Sequence, residues 1–293
     1  MDNRVEQFLS HLTEAKHYSD NTVSAYRNDL TQFREFLQNQ DLANWPRLRQ
    51  QDILAFGLDL KERGYAQSTL ARKLASVRSF CHYLAKSGLL PQDPADGLNS
   101  PQVARKTPRT LTDKEVSLLL ELPSRMRTPK GLRDRAILEL LYATGMRASE
   151  VTALDLDDVN FSGGTVNCGE RPSSQRTVSL SQHALEAIRV YVEQGREHLV
   201  TSPEQRALFV NHRGERLSRQ GLWLIIKSYV KALGLGDNVT PHTLRHSAAA
   251  HKLSHGANVT EVQHLLGHAN PSSTQVYVRI ARRQASEPTY ANA

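Results

Sequence analysis

The last quarter of this 293-residue chain contains TPHTLRHS (240–247), LLGH (265–268) and Tyr277. Threonine followed by proline predicts the start of a helix, so His242 and Arg245, three positions apart, are expected on one face of it. Histidine, arginine and a phenolic hydroxyl are the groups needed to attack a phosphodiester without a metal ion. The spacing therefore indicates a nucleic-acid substrate with Tyr277 as the nucleophile.

Further residues complete this predicted site. Attack on a phosphodiester concentrates negative charge on the non-bridging oxygens, which fixed guanidinium groups stabilise. Arg245 supplies one, and Arg147 in ATGMRASEV supplies a second beside the start of a predicted helix. We expect His242 to take and return the Tyr277 proton, and His268 to hydrogen-bond the phosphoryl group.

The composition agrees with a polyanionic partner. The chain has 37 Lys+Arg against 30 Asp+Glu, a net charge of +7, which favours DNA or an anionic membrane surface. No apolar run approaches membrane-spanning length, and MDNRVEQFLS lacks the apolar core of a signal peptide, so we expect a cytoplasmic protein. Cys81 and Cys168 are too few for a disulfide framework or a cysteine-based zinc site.

The chain divides by pattern into two domains. Residues 1–98 have the apolar spacing of helices only, and residues 111–280 mix helices with short strands. Between them NSPQVARKTPRT (99–110) lacks acidic residues and apolar periodicity, which is typical of an extended basic linker. A tail, 281–293, follows. The linker residues that we expect to contact DNA are Arg105, Lys106 and Arg109.

Four helices are predicted in the first domain. The second of them begins at an N-cap that is Asp20 or Asn21, and the third covers about 50–63. The fourth runs over STLARKLASVRSFCHYLAKSG and ends at Gly88. Its predicted exposed face can either follow a phosphate backbone or simply be solvated. The residues assigned to that face are Arg72, Lys73, Arg78 and His82.

The second domain has clear signals for the starts and ends of its helices. Thr112 and Glu115 form a capping-box pattern, and a following helix ends near Gly145. LDLDDVNF, GTVNC and RTVSL alternate like short antiparallel strands, and Arg176 in the last of these is a candidate DNA contact that competes with a role in a solvated turn. A helix beginning at Asn270 and Pro271 is expected to carry Tyr277.

Histidines four residues apart are also compatible with metal binding. Three pairs have this spacing: His242/His246, His251/His255 and His264/His268. They lack an HExxH motif, a cysteine ligand and an acidic third ligand, so we expect no metal site.

ATGMRASEV, TPHTLRHS, VQHLLGH and STQVY resemble the active-site boxes of the tyrosine recombinases, the phage-integrase family, and most closely those of the Xer type. The resemblance covers nearly the whole chain. It implies a two-domain clamp: a helical, SAM-like core-binding domain, and a mainly α catalytic domain with a small antiparallel sheet.

The resemblance also implies a mechanism. Tyr277 would form a 3′-phosphotyrosyl bond and free a 5′-hydroxyl, with strand exchange through a Holliday junction and no need for metal, ATP or another cofactor. The partner would be double-stranded DNA with a specific core site. A homo- or hetero-tetramer would assemble on it, exchange its C-terminal tails and act near the nucleoid.

One position departs from the family pattern. A catalytic lysine is expected in the hairpin turn within a motif like GKGxKxRxVPL, but the turn reads GERPSSQRTVSL and places Arg171 there. Arginine keeps the charge but rarely gives up its proton. Three readings follow: slow catalysis with Arg171 as an electrostatic stand-in, a lysine such as Lys130 or Lys227 in that role, or a recombinase-derived DNA-binding protein with weak cleavage. A type IB topoisomerase shares the chemistry but fits the helical N-terminal domain less well.

Overall fold

The computed structural model describes residues 2–42, 44–99, 107–169, 175–267 and 274–286. The chain forms two compact units, Met1–Arg105 and Lys106–Ala293. Helices dominate both, and the described part of the chain contains one three-stranded antiparallel sheet, in the second unit. The predicted fold class, mainly α with a small antiparallel sheet, is confirmed.

Within its described residues, the first unit has four α-helices around an aromatic core. They are α1 (Asp2–Glu14), α2 (Asp20–Asn39), α3 (Gln50–Glu62) and α4 (Gln67–Lys86). Phe33 contacts Phe56 and Trp45 contacts Phe80, with ring centroids 5.0 and 4.9 Å apart. Because all four rings are buried, these contacts hold the helices together.

The predicted cap of α2 was wrong by one residue. Ser19 precedes the helix in an extended conformation, and its hydroxyl accepts a hydrogen bond from the Thr22 backbone N–H at 3.3 Å. Asp20 is the first helical residue instead of the cap. A serine satisfies the same unpaired N–H as an aspartate, so local pattern did not separate the two.

The second unit has eight helices and three strands within its described residues. They are α5 (Asp113–Glu121), α6 (Pro129–Thr144), α7 (Ala148–Ala153), β1 (Val159–Asn160), β2 (Thr165–Cys168), β3 (Arg176–Ser179), α8 (Gln182–Gln194), α9 (Arg219–Ala232), α10 (Pro241–Ser254), α11 (Val259–Leu266) and α12 (Gln275–Ser286). The capping box of Thr112 and Glu115 is confirmed, with the Thr112 N–H 2.8 Å from Glu115 Oε2. Pro241 begins α10 as predicted.

The sheet places a hairpin beside the candidate site. β1 pairs with β2, and β2 pairs with β3 in a register that matches Val166 with Val178 and Cys168 with Arg176. Arg171, in the segment between β2 and β3, lies outside the described residues.

None of the helices in the described ranges is both long and apolar enough to cross a membrane.

Candidate active site

Arg147 lies at the corner between α6 and α7. α6 ends because Gly145 adopts φ 59°, a conformation that a residue without Cβ takes at low cost. The Arg147 backbone N–H donates to Glu150 Oε2 at 2.7 Å, which fixes the corner. Its guanidinium lies 3.2 Å from Glu150 Oε1 while the side chain stays 43% exposed. The cation is therefore held in place but open to solvent.

Arg245 is a buried cation. It is 4% exposed and donates from Nη1 to the Gly145 carbonyl and from Nη2 to the Leu266 carbonyl, the latter at 2.6 Å. Burial, together with the positive charge of Arg147, lowers the pKa of Arg245 from 12.5 to about 10. Two guanidiniums thus share one region and repel each other, an arrangement that an anion would stabilise.

Tyr277 lies on α12, close enough to Arg245 for the two groups to interact electrostatically. It is 3% exposed, and its Oη forms a 2.7 Å hydrogen bond with His246 Nδ1. Burial raises the pKa of the Tyr277 phenol, and the Arg245 charge opposes that rise. The phenolic oxygen is thus protonated, enclosed and close to a cation.

His246 is neutral at pH 7. Burial lowers its pKa from 6.5 to about 4, and the charges of His242 and Arg245 act in the same direction. His242 is exposed one turn earlier on α10, with its ring centroid 6.4 Å from that of His246. In the structure, the hydrogen-bond partner of the Tyr277 hydroxyl is therefore His246. We had predicted that His242 would exchange the proton of Tyr277.

Arg176 connects three parts of the site. Its Nη1 and Nη2 lie 2.8 and 3.2 Å from the two carboxylate oxygens of Glu150, and its Nε donates to the Leu265 carbonyl at 3.0 Å. Both charged side chains are buried, at 6% and 4% exposure. Burial alone would raise the pKa of Glu150, but hydrogen bonds from Arg176 and the Arg147 backbone outweigh it and lower that pKa. We expected Arg176 to contact DNA, but in this structure its guanidinium is enclosed by protein and paired with Glu150.

The end of α11 is held between the two buried arginines. Arg176 binds the Leu265 carbonyl and Arg245 binds the next one, that of Leu266. Gly267 follows with φ 61°, and a Cβ there would lie 3.0 Å from Arg176 Nη1. His268, the next residue, lies outside the described residues, so its predicted role stays a prediction.

The predicted DNA face of α4 needs one correction. Lys73 was placed on the exposed side, but its side chain is 5% exposed and its Nζ lies 3.0 Å from Asp29 Oδ1. Asp29 is fully buried and also binds Arg72, whose side chain is 50% exposed, and Ser76. Burying a carboxylate without partners costs free energy, so the role of Lys73 is to neutralise the Asp29 carboxylate inside the first unit. Arg72 and the half-buried Arg78 remain candidate DNA contacts.

The end of the predicted linker is attached to the second unit. Arg109 donates to Asn238 Oδ1 and, at 2.7 Å, to the Leu235 carbonyl. The Leu111 N–H donates to Ser247 Oγ at 2.8 Å, which joins the segment to α10. The guanidinium of Arg109 is thus engaged with protein, whereas we expected it to bind DNA. The other linker candidates, Arg105 and Lys106, lie outside the described residues.

Sequence reasoning missed Glu150 and His246. Glu150 had a local signal, since a glutamate three residues after a helix cap often binds the cap's backbone N–H. His246 had been noted only for its spacing of four from His242. Among the side chains that the structure describes, no group of three or more His, Cys, Asp or Glu residues is arranged to hold a metal ion.

Two family models match the chain. The phage integrase family model covers residues 109–284, and the model of the phage integrase N-terminal SAM-like domain covers residues 5–88. Tyrosine recombinase XerC of Roseiflexus sp. (strain RS-1) is 45% identical over 98% of this chain and 92% of its own length. Tyrosine recombinase XerD of Oceanobacillus iheyensis is 38% identical over 97% of this chain and 95% of its own length.

Solved structures share the fold. The XerH site-specific recombinase bound to palindromic difH substrate in a post-cleavage complex superposes with a TM-score of 0.76, at 20% identity, over 97% of this chain and 83% of that one. A lambda integrase dimer bound to a COC′ core site gives a TM-score of 0.75 at 15% identity, over 100% of this chain and 80% of that one. The chain therefore belongs to the phage integrase family of tyrosine recombinases.

Proposed function

We propose that the protein cleaves and rejoins double-stranded DNA at a specific core site through a 3′-phosphotyrosyl bond to Tyr277. The observation that carries this proposal is the position of Arg245, a buried guanidinium whose charge acts both on the Arg147 guanidinium and on the buried Tyr277 phenol. A scissile phosphate would relieve the repulsion between Arg147 and Arg245 and would lie beside Oη. Curated relatives at 36–45% identity are tyrosine recombinases, which supports the same reaction.

Strand exchange follows from reversing this step. The phosphotyrosyl bond retains the energy of the broken phosphodiester, so a 5′-hydroxyl from a partner strand can attack it without ATP, a metal ion or another cofactor. Two such exchanges pass through a Holliday junction. The assembly is a homo- or hetero-tetramer on two DNA sites, with the tail 281–293 packed against a neighbouring subunit.

The two units divide the work in this proposal. Residues 1–98 hold the DNA core site, with Arg72 and Arg78 as phosphate contacts, and residues 111–280 carry out cleavage. The linker, 99–110, contributes Arg105 and Lys106 as further contacts to the DNA backbone. His268 hydrogen-bonds the phosphoryl group, and Arg171 stabilises the leaving 5′-oxygen by its charge.

A covalent adduct tests the reaction directly. A DNA site is first selected from a randomised duplex pool with the Tyr277→Phe variant, and is then nicked next to the cleavage point so that the short cleaved strand diffuses away. With the native chain we expect a protein–DNA species on a denaturing gel, formed equally well in EDTA, and we expect none with Tyr277→Phe. Binding to the selected site without any adduct would refute cleavage.

The role of Arg171 has its own test. Sulfur at the bridging 5′ position leaves without protonation, so we expect that substitution to accelerate cleavage if leaving-group protonation limits the rate. Equal rates on both substrates would contradict this limitation.

A further inference from the structure

The hydroxyl of Tyr277 is paired with His246, the histidine that directly follows the HTLR sequence (242–245). His246 Nδ1 lies 2.7 Å from Oη, and the two ring centroids are 5.4 Å apart. With Tyr277 3% exposed, bulk water has little access to this contact. Building on the proposed function, we propose that His246 removes the phenolic proton as Oη attacks the phosphodiester, and returns it when the strand is rejoined.

The geometry suits a base. Nδ1 accepts a proton only when the ring carries its own on Nε2, and the neutral ring then aims a lone pair at the phenol. Because burial lowers the pKa of His246, and its neighbours His242 and Arg245 act in the same direction, the ring is neutral at pH 7 in the DNA-free protein. A base within hydrogen-bond reach of the proton it abstracts satisfies the first requirement for proton transfer.

Substrate binding strengthens this base. A phosphate bound by Arg147 and Arg245 places negative charge beside the imidazole, which favours the protonated ring. It also offsets the charge of Arg245, one of the causes of the lowered pKa of His246. The proton affinity of His246 therefore rises when a phosphate occupies the site, which is when the phenolic proton has to leave.

His242 takes a different position. It is exposed at the start of α10, one turn before His246, and its ring stacks on that of His246 at 6.4 Å between centroids. It is thus on the solvent side, where a DNA phosphate arrives, while His246 is on the side of the nucleophile. In this arrangement His242 contacts the phosphate, and His246 transfers the proton.

Protons and electron pairs balance in this step. The proton of Oη moves to His246 Nδ1, an oxygen lone pair forms the O–P bond, and the bond from phosphorus to the 5′-oxygen breaks. The 5′-oxygen takes a proton from water, and the imidazolium gives its proton to the resulting hydroxide. Rejoining runs through the same states in reverse.

The test uses the full chain and the nicked duplex from the selected site. His246→Asn keeps an oxygen near the Nδ1 position that accepts a hydrogen bond from Tyr277 but cannot take its proton. We expect its single-turnover adduct formation to be slower by ~100-fold or more, the range for loss of a general base, with unchanged DNA affinity. His255→Asn, at the exposed C-terminal end of α10, is the matched control and should react at the native rate.

A more acidic nucleophile separates proton removal from packing. Replacing Tyr277 by 3,5-difluorotyrosine weakens the need for a base, so it should restore ~10-fold or more of the rate lost in His246→Asn. Sulfur at the bridging 5′ position should leave the His246→Asn defect in place, because it eases only departure of the leaving group. Rescue by sulfur and not by fluorine would assign His246 to the leaving group and overturn the proposal.

The remaining outcomes are distinguishable. A His246→Asn rate within ~3-fold of native would exclude His246 as the base while leaving DNA cleavage established. Absence of an adduct with the native chain would refute the proposed function, and this inference with it.

Discussion

Arg176 and Glu150 form an ion pair with two hydrogen bonds, of 2.8 and 3.2 Å, between side chains that are both more than nine-tenths buried. Since Arg176 Nε also binds the Leu265 carbonyl, one guanidinium connects β3, α7 and α11. Arg147, whose backbone N–H binds Glu150, and the C-terminal end of α11 lie at the two ends of this connection. The pair therefore fixes Arg147 and the end of α11 relative to each other.

Arg176→Gln should destabilise the second unit. It leaves the buried Glu150 carboxylate without its main partner, and breaking such a pair costs ~3–5 kcal/mol. It should also slow adduct formation by displacing Arg147 and the end of α11. Hydrogen exchange as a function of urea, measured on peptides of the second unit, reports the stability change.

Arg206→Gln is the matched control for this substitution. Arg206 pairs with Asp157 on the surface, where both side chains are more than 70% exposed, so its loss should cost less than ~1 kcal/mol.

If Arg176 contacted a DNA phosphate, its removal would reduce the salt dependence of binding by about one counterion. An unchanged salt dependence is the expected result.

Gly145→Ala should be more damaging than its backbone conformation alone explains. The added Cβ would lie 2.8 Å from Leu266 Cδ2, in a region where Arg245 also binds. Gly234 has a similar φ of 65° with open space around it, so Gly234→Ala measures the cost of the left-handed conformation alone, ~1 kcal/mol. Comparable losses of stability in the two variants would show that the contact with Leu266 is unimportant.

Lys73→Met should not alter the salt dependence of DNA binding. Lys73 is enclosed with Asp29, and methionine keeps much of its volume, so the effect falls on the stability of the first unit. Arg78→Gln, on the same helix, should reduce the salt slope by ~1 if Arg78 contacts a phosphate. Binding titrations over a range of salt concentrations compare the two variants, and a lower slope for Lys73→Met would contradict the structural role.

Acid should destabilise the second unit through His246. Its pKa falls from 6.5 in the unfolded chain to about 4 in the folded protein, so between these pH values the unfolded chain binds more protons. The contribution is absent above pH 6.5, and the free energy of unfolding then falls by at most ~1.4 kcal/mol per pH unit as the pH drops towards 4. Urea unfolding between pH 7 and pH 4 measures it.

His246→Asn should remove that part of the pH dependence. His198→Asn should retain it, because the His198 side chain is 61% exposed. Identical pH profiles for the native chain and His246→Asn would show that the ring is not held neutral by the fold.

Local signals in the sequence account for most of the helix ends. Glycines at positive φ end α6 and α11, and proline begins α10, because these residues have backbone preferences that act within one turn. The predicted roles failed where a partner is distant in sequence. Asp29 is 44 residues from Lys73, and Glu150 is 26 from Arg176, so no helical or strand period relates them.

The same limit applies to the candidate site. Arg147, Arg245 and Tyr277 were identified from short motifs, and the structure places Arg245 within electrostatic reach of each of the other two. The choice between His242 and His246 depends on how α10 is rotated against α12, which is decided by tertiary packing. A spacing of four residues places both histidines on similar faces and leaves that choice open.

The repulsion between Arg147 and Arg245 implies a trade-off between durability and activity. A protein that keeps two cations together, one of them buried and with its pKa lowered to about 10, is less stable than the same fold with one of them neutral. Inorganic sulfate, as a simple anion, should therefore protect the resting protein against heat. At position 147, a neutral residue would therefore favour a long-lived protein, whereas arginine would favour DNA cleavage.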